Sequence, residues 1–125
     1  MNRVAPLLIA IAILGESSAA HDLGPECKDP KEGSTLAESC ALQQQFKDAD
    51  GELNVTYKAL LKNWKAEDFK NERAGLIASQ RAWLAYRDKT CDFEQVVHGG
   101  IVSISFSRCT VRVTVERVAY LKELL

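Results

Sequence analysis

Apolar side chains recur at steps of three and four over two long stretches of the chain. In the first, Leu42, Phe46, Ala49, Leu53, Tyr57, Leu60 and Trp64 follow one another in this way, the stripe of a long α-helix. Ahead of it, Thr35-Leu36-Ala37-Glu38 fits a capping box with Thr35 as N-cap and Glu38 reaching back. The pattern predicts a helix over 36–64. Gly51 inside it costs up to about 1 kcal/mol relative to alanine and permits a bend. A polar connection over 65–70 follows, with Asp68 a candidate cap for the next helix. In the second stretch Leu76, Gln80, Trp83, Arg87 and Cys91 fall within one stripe roughly 80° wide at about 100° per residue. Two strongly polar side chains thus share the face that carries Trp83. His98-Gly99-Gly100 should end this helix, because paired glycines are poor helix formers and good stop signals.

The last fifth of the chain carries two patterns at once. Ile101, Ser103, Ser105 and Ser107 alternate with Val102, Ile104 and Phe106, and Thr110 to Val115 is rich in β-branched residues; both features favour a strand. Val113, Arg117, Tyr120 and Leu124 have helical spacing, as do Val111, Val115, Val118 and Leu121. On composition alone this segment divides between strand and helix.

The opening residues follow a different plan. Met1-Asn2-Arg3 is positive, Val4 to Leu14 is an unbroken apolar run, and Ser18-Ala19-Ala20 places small residues at the −3 and −1 positions of a cleavage site. These are the three parts of a secretory signal peptide. The apolar run is too short for a membrane span, which takes about 20 residues. We expect 1–20 to be removed after Ala20 and 21–125 to fold as one domain in a periplasmic or secreted setting. The prolines and glycines of 21–34 predict an irregular lead-in.

Net charge bears on partners. The chain carries 16 basic and 17 acidic residues, a net of −1, so the basic excess of a nucleic-acid binder is absent. Cys27, Cys40, Cys91 and Cys109 all lie in the expected mature part, and an even count in a small exported domain predicts two disulfides. Pairing Cys27 with Cys40 and Cys91 with Cys109 closes two short local loops and is favoured. The alternative joins Cys40 to Cys91 and Cys27 to Cys109. No C-x2-C pair is present and the only histidines are His21 and His98, so no metal site or cofactor is expected. Asp48-Ala49-Asp50-Gly51-Glu52 lacks the spacing and terminal glutamate of a calcium loop. No Ser-His-Asp signature or phosphate-cradling glycine loop occurs, and the chain reads as a non-enzyme.

An ordered set of residues carries a resemblance. Leu53-Asn54-x-x-Tyr57 is followed by Gln80-Arg81-Ala82-Trp83-Leu84-x-Tyr86-Arg87-Asp88-x-x-Cys91, then by Gly99-Gly100, Cys109 and Thr114-x-x-Arg117-x-x-x-Leu121. The set resembles the LprI-like family of exported bacterial proteins, named after a lysozyme inhibitor, over nearly the whole mature chain. The resemblance implies a helical domain and assigns the ambiguous tail mainly to helix from about Ser103. The expected fold is then all-α, a small bundle built on a long antiparallel helix hairpin plus a C-terminal helix, braced by two disulfides. The resemblance also implies a protein partner, a lysozyme or other wall-acting enzyme, blocked sterically by a rigid helical surface or by the Glu94 to Ser103 loop. The alternative is an envelope assembly, stress or small-ligand-binding protein with no lysozyme target. No nucleic-acid partner and no membrane span in the mature form are expected, and sequence leaves the oligomeric state open.

A hairpin turning near Ala66 sets Asn54 near Gln80, Asp50 near Trp83 and Phe46 near Arg87. We therefore read Asp50, Asn54, Gln80, Arg87 and Asp88 as a structural polar network between the helices, with Asp50 the expected partner of Arg87. A buried arginine needs such partners, because an unpaired buried charge is costly. Phe46, Tyr57, Trp64 and Trp83 at helical spacing read as core aromatics.

Overall fold

The computed structural model describes residues 23–100 and 102–125. The expected signal peptide and its cleavage point lie outside the described residues. After a short 3-10 turn, Pro25–Cys27, come three helices: α1 (Thr35–Asn63), α2 (Lys70–His98) and α3 (Val102–Lys122), with a second 3-10 turn, Glu67–Phe69, between α1 and α2. No strand occurs among the described residues. The β-branched run of 110–115 is helical because Thr110, Val113 and Thr114 are buried against the rest of the bundle, even though Val115 faces solvent. Valine and threonine lower helix propensity by only tenths of a kcal/mol each, which tertiary packing overrides.

The start of α1 differs by one residue from the expected capping box. Ser34, not Thr35, is the N-cap, and its hydroxyl accepts from the Ala37 amide at 3.1 Å. Glu38 consequently does not reach back and instead pairs with Arg108 of α3. Gly51 is exposed and helical, so α1 runs through it. Asp68 does not cap α2. It lies in the 3-10 turn, and the N-cap Phe69 makes no side-chain bond. The turn is closed instead by Arg73, whose Nη1 donates to the carbonyls of Trp64 at 3.3 Å and Lys65 at 2.6 Å, satisfying acceptors that a helix end leaves open.

Helix directions follow from the pairs that join them. Glu38 meets Arg108 and Glu52 meets Lys122, each pair 70 residues apart, so α1 and α3 run parallel. Cys91 joins Cys109 while Gln80 meets Arg117, so α2 and α3 run antiparallel. The antiparallel hairpin of α1 and α2 is thus present, but its two backbones touch little, and α3 packs along both. The reason lies in side-chain size. Ala49 and Thr56 on α1 and Thr110 and Thr114 on α3 are all buried, and such short side chains let two helices approach closely. Thr56 and Thr110 return their hydroxyls to the carbonyls of Glu52 and Phe106, both at 2.8 Å.

Two apolar clusters lie along the bundle. Leu53, Leu60, Leu76, Val118 and Leu121 fill the end near the α1–α2 turn, with Tyr57, Leu61, Trp64 and Trp83 half-buried around them. Cys91, Cys109 and Val113 form a smaller cluster toward the other end, flanked by Trp83 and Phe106. The disulfides are Cys27–Cys40 and Cys91–Cys109, with Cα–Cα distances of 5.6 and 5.4 Å.

Candidate functional site

The residues of the polar network divide between two places. Arg87 projects from α2 toward α1, with its guanidinium carbon 5.5 Å from the Phe46 ring centroid and 5.1 Å from that of Trp83. Its Nη1 lies 4.0 Å from Asp50 Oδ1, and its Nε donates to Asp88 Oδ1 at 3.3 Å. Asn54 donates to Asp50 at 3.4 Å and so holds that carboxylate facing Arg87. The side chain of Arg87 is 13 % exposed and its Nη1 makes no hydrogen bond. Two aromatic faces and a nearby carboxylate are therefore its main compensation. Asp88, with a side chain 62 % exposed, caps the cluster from outside.

Gln80 does not meet Asn54. It turns to α3, where its Oε1 accepts from Arg117 Nε at 3.1 Å, while Arg117 Nη2 donates to Ser79 Oγ at 2.8 Å. The cause is the wide separation of α1 and α2, which puts α3 nearer to Gln80. Arg117 also lies 5.8 Å from the Trp83 ring and 5.3 Å from that of Tyr120. Burial pushes its pKa down from the usual guanidinium range. Trp83 is thus flanked by two guanidiniums, one from its own helix and one from α3. Reading the polar network from the hairpin alone omits Arg117 and Ser79. The only available signal was the position of Arg117 inside the Thr114-x-x-Arg117 motif. Tyr57 is half-buried, and burial raises its pKa against the opposing effect of nearby Arg81. Phe46, Trp64 and Trp83 likewise border the core rather than fill it.

This arrangement holds the helices together. Among the described residues no three His, Cys, Asp or Glu side chains converge in a way that would hold a metal. Two clefts among the described residues, one beside Cys27 and Gln44 and one beside Trp64 and Tyr120, have volumes of about 210 and 200 Å³ and open broadly to solvent. Sites that bury a small ligand are typically larger, roughly 300–1,000 Å³, and concave.

Exposed apolar side chains gather elsewhere, at the cystine end of α2. Phe93, Val96 and Val97 are 65 %, 82 % and 58 % exposed. The expected Glu94 to Ser103 loop is mostly helix, since α2 reaches His98 and α3 starts at Val102. Gly99 and Gly100, with φ of 62° and 75°, make the turn in the left-handed region that side chains avoid. This tip is held firmly. Cys91–Cys109 lies two turns below it, Arg112 Nη2 donates to Glu94 Oε1 at 2.5 Å, and the Ser105 hydroxyl donates to the Gly99 carbonyl at 3.2 Å. The bond to Glu94 is the main cause that raises the Arg112 pKa. A stiff apolar projection can bury against a partner with little ordering cost.

The family model described as lysozyme inhibitor LprI matches residues 27–121. An uncharacterised protein of Rhizobium meliloti (strain 1021) is 28 % identical over 136 residues, covering 100 % of this chain and 96 % of its own length. No solved structure matches the chain at a significant level. Among the described residues no helix is long and apolar enough to cross a membrane.

Proposed function

Because the chain belongs to the lysozyme inhibitor LprI family, we propose that it is an exported protein-binding module that inhibits a lysozyme or a similar wall-cleaving enzyme. It acts sterically, by setting the α2 tip and its Gly99-Gly100 turn into or across the substrate cleft. The observation that carries this reading is the exposure of Val96 and Val97 on a tip fixed by a disulfide, an ion pair and a hydroxyl–carbonyl bond. Isolated surface valines are ordinary; a rigid apolar cluster at a projecting end suits a partner contact. Export fits the two disulfides, which persist in oxidising compartments, and the signal-peptide pattern of 1–20. The domain of 21–125 is then the released form, periplasmic or secreted.

A net charge of −1 gives little long-range attraction to a basic enzyme, so binding should depend on contact rather than on steering. The test is inhibition of chicken-type and goose-type lysozymes by the oxidised mature protein. Val96→Glu with Val97→Glu should weaken inhibition at least tenfold, the scale of a lost interface anchor, with melting unchanged. Absence of inhibition of both enzymes by the natural sequence would refute the lysozyme reading. Full inhibition by the double variant would remove the tip from the contact.

A further inference from the structure

The cleft of about 200 Å³ at the end near the α1–α2 turn is a groove between α2 and α3. Glu72, Gly75, Leu76 and Ser79 form one wall and Arg117, Tyr120 and Leu124 the other, each set at the three- and four-residue spacing of one helix face. At one end the Ser79 hydroxyl accepts from Arg117 Nη2 at 2.8 Å. The antiparallel register then sets Gly75 and Leu76 level with Tyr120, and Glu72 level with Leu124 at the other end. Glu72 and Ser79 are two turns apart, about 10 Å at ~1.5 Å per residue. The groove is therefore dipolar, with a guanidinium at one end, an aromatic wall in the middle and a carboxylate at the far end.

Its polar groups have bonding capacity to spare. Arg87, Arg108 and Arg112 each have a carboxylate within 4.0 Å. Arg117 has none among the described residues; its bonds go to the neutral side-chain oxygens of Gln80 and Ser79. Three of the five guanidinium N–H groups are left over, on a cation already partly stripped of water. Glu72, the Tyr120 hydroxyl and the Trp64 indole N–H border the same groove and make no hydrogen bond or ion pair among the described residues. Gly75 adds space. A Cβ there would meet nothing within 4 Å, so packing does not demand glycine, which costs a helix interior up to about 1 kcal/mol relative to alanine. Gly51 is equally unconstrained but lines neither cleft. At Gly75 a ligand backbone can come close to the helix.

We propose that this groove binds a short peptide with free ends, extended between α2 and α3, with its carboxylate on Arg117 and its ammonium at Glu72. The inference goes beyond the lysozyme reading and does not depend on it. Length selects the ligand, because three extended residues span about 10–11 Å at ~3.3–3.6 Å each, the distance between the charged ends of the groove. The peptide carboxylate takes charge-assisted hydrogen bonds from the spare N–H groups of Arg117. The reverse direction would set like charges together at both ends. In between, the peptide amides meet the Tyr120 hydroxyl and the Trp64 indole N–H. An acidic side chain of a folded partner would use the Arg117 end alone; a ligand carrying both charges uses both. The groove leaves one side of the peptide in water, so it needs less volume than a site that encloses its ligand. Affinity is correspondingly modest, with a Kd on the order of 1 mM.

Titration of the oxidised mature protein with trialanine, followed by backbone amide chemical shifts, tests the proposal. Saturable shifts are expected over residues 72–79 and 117–124 and not at the α2 tip. Amidating the carboxyl end of the peptide should raise the dissociation constant about tenfold, and acetylating its amino end about threefold. Gly75→Leu should fill the groove and weaken binding at least tenfold, with melting no lower than in the natural sequence. Glu72→Gln should weaken trialanine about threefold and leave the affinity of the acetylated peptide unchanged. Absence of saturable shifts up to about 20 mM peptide overturns the proposal. So does undiminished binding to the Gly75→Leu protein, or equal affinity for the amidated peptide. Equal affinity for the acetylated peptide overturns the assignment of the ammonium to Glu72. The variant with Val96→Glu and Val97→Glu should bind trialanine as the natural sequence does, and Gly75→Leu should still inhibit lysozyme, so the two readings fail separately.

Discussion

The two ends of the bundle are stabilised by different means. At the end near the α1–α2 turn, Leu53, Leu60 and Leu121 are 2 %, 0 % and 0 % exposed and lie in one cluster with Leu76 and Val118. At the other end the cluster shrinks to Cys91, Cys109 and Val113, while Phe93, Val96 and Val97 point outward. Both disulfides belong to this second end, because Cys40 is near the start of α1, Cys91 near the end of α2 and Cys109 near the start of α3. A domain of this size holds only a modest core. Where apolar volume runs out, a covalent bond replaces it, and apolar side chains are left exposed. The leucine end supplies stability, and the cystine end holds Phe93, Val96 and Val97 exposed on a braced tip.

Four variants break or sharpen this division, from the largest effect to the smallest. Leu60→Ala should destabilise the fold by about 3–5 kcal/mol, the cost of a cavity in a site with no solvent access, measured by denaturant unfolding. A loss below about 1 kcal/mol would mean that the leucine cluster is not the main store of stability. Replacing Cys91 and Cys109 together by serine should cost about 2–3 kcal/mol, the scale for a short cross-linked loop. Arg87→Ala should cost about 1–2 kcal/mol, from lost contact with Phe46, Trp83 and Asp50. A variant with native melting and lost lysozyme binding would instead put Arg87 in the contact surface.

The smallest effect is alkaline. The pKa of Tyr57 is raised from 10.0 by burial, so the folded state keeps this proton where the unfolded chain has lost it. Its contribution is complete below the unfolded value and falls away as pH rises through the folded one. Tyr57→Phe should therefore flatten the decline of melting temperature above about pH 10. An unchanged slope would show that Tyr57 ionises freely in the folded protein.

Much of α1 and α2 was legible because their apolar stripes are regular, and the face that buries Leu42, Ala49, Leu53 and Leu60 is the one the spacing predicts. The tail was not legible by pattern, and only the family resemblance assigned it to helix. Its buried face runs through Cys109, Thr110, Val113, Thr114, Val118 and Leu121, and a search for apolar periodicity passes over the two threonines. Val115 and Tyr120, which such a search favours, are exposed by 52 % and 51 %. The same threonines explain the misplaced partner of Gln80. Helix pairing read from two helices could not register that α3 lies closer to α1 than α2 does. In the polar cluster, Phe46 and Asp50 lie beside Arg87 as the hairpin register requires, whereas Asn54 serves Asp50 and Gln80 serves Arg117. The exposed tip had no sequence signal beyond Gly99-Gly100, because exposure of Phe93, Val96 and Val97 depends on which side of α2 the third helix covers.

Amide hydrogen exchange resolved along the chain, compared between the oxidised protein and the variant with serine at 91 and 109, tests the division of labour most directly. Protection should fall selectively over residues 88–98 and 104–110 and persist around Leu53, Leu60 and Leu121. A uniform fall through all three helices, or unchanged protection at the tip, would contradict it.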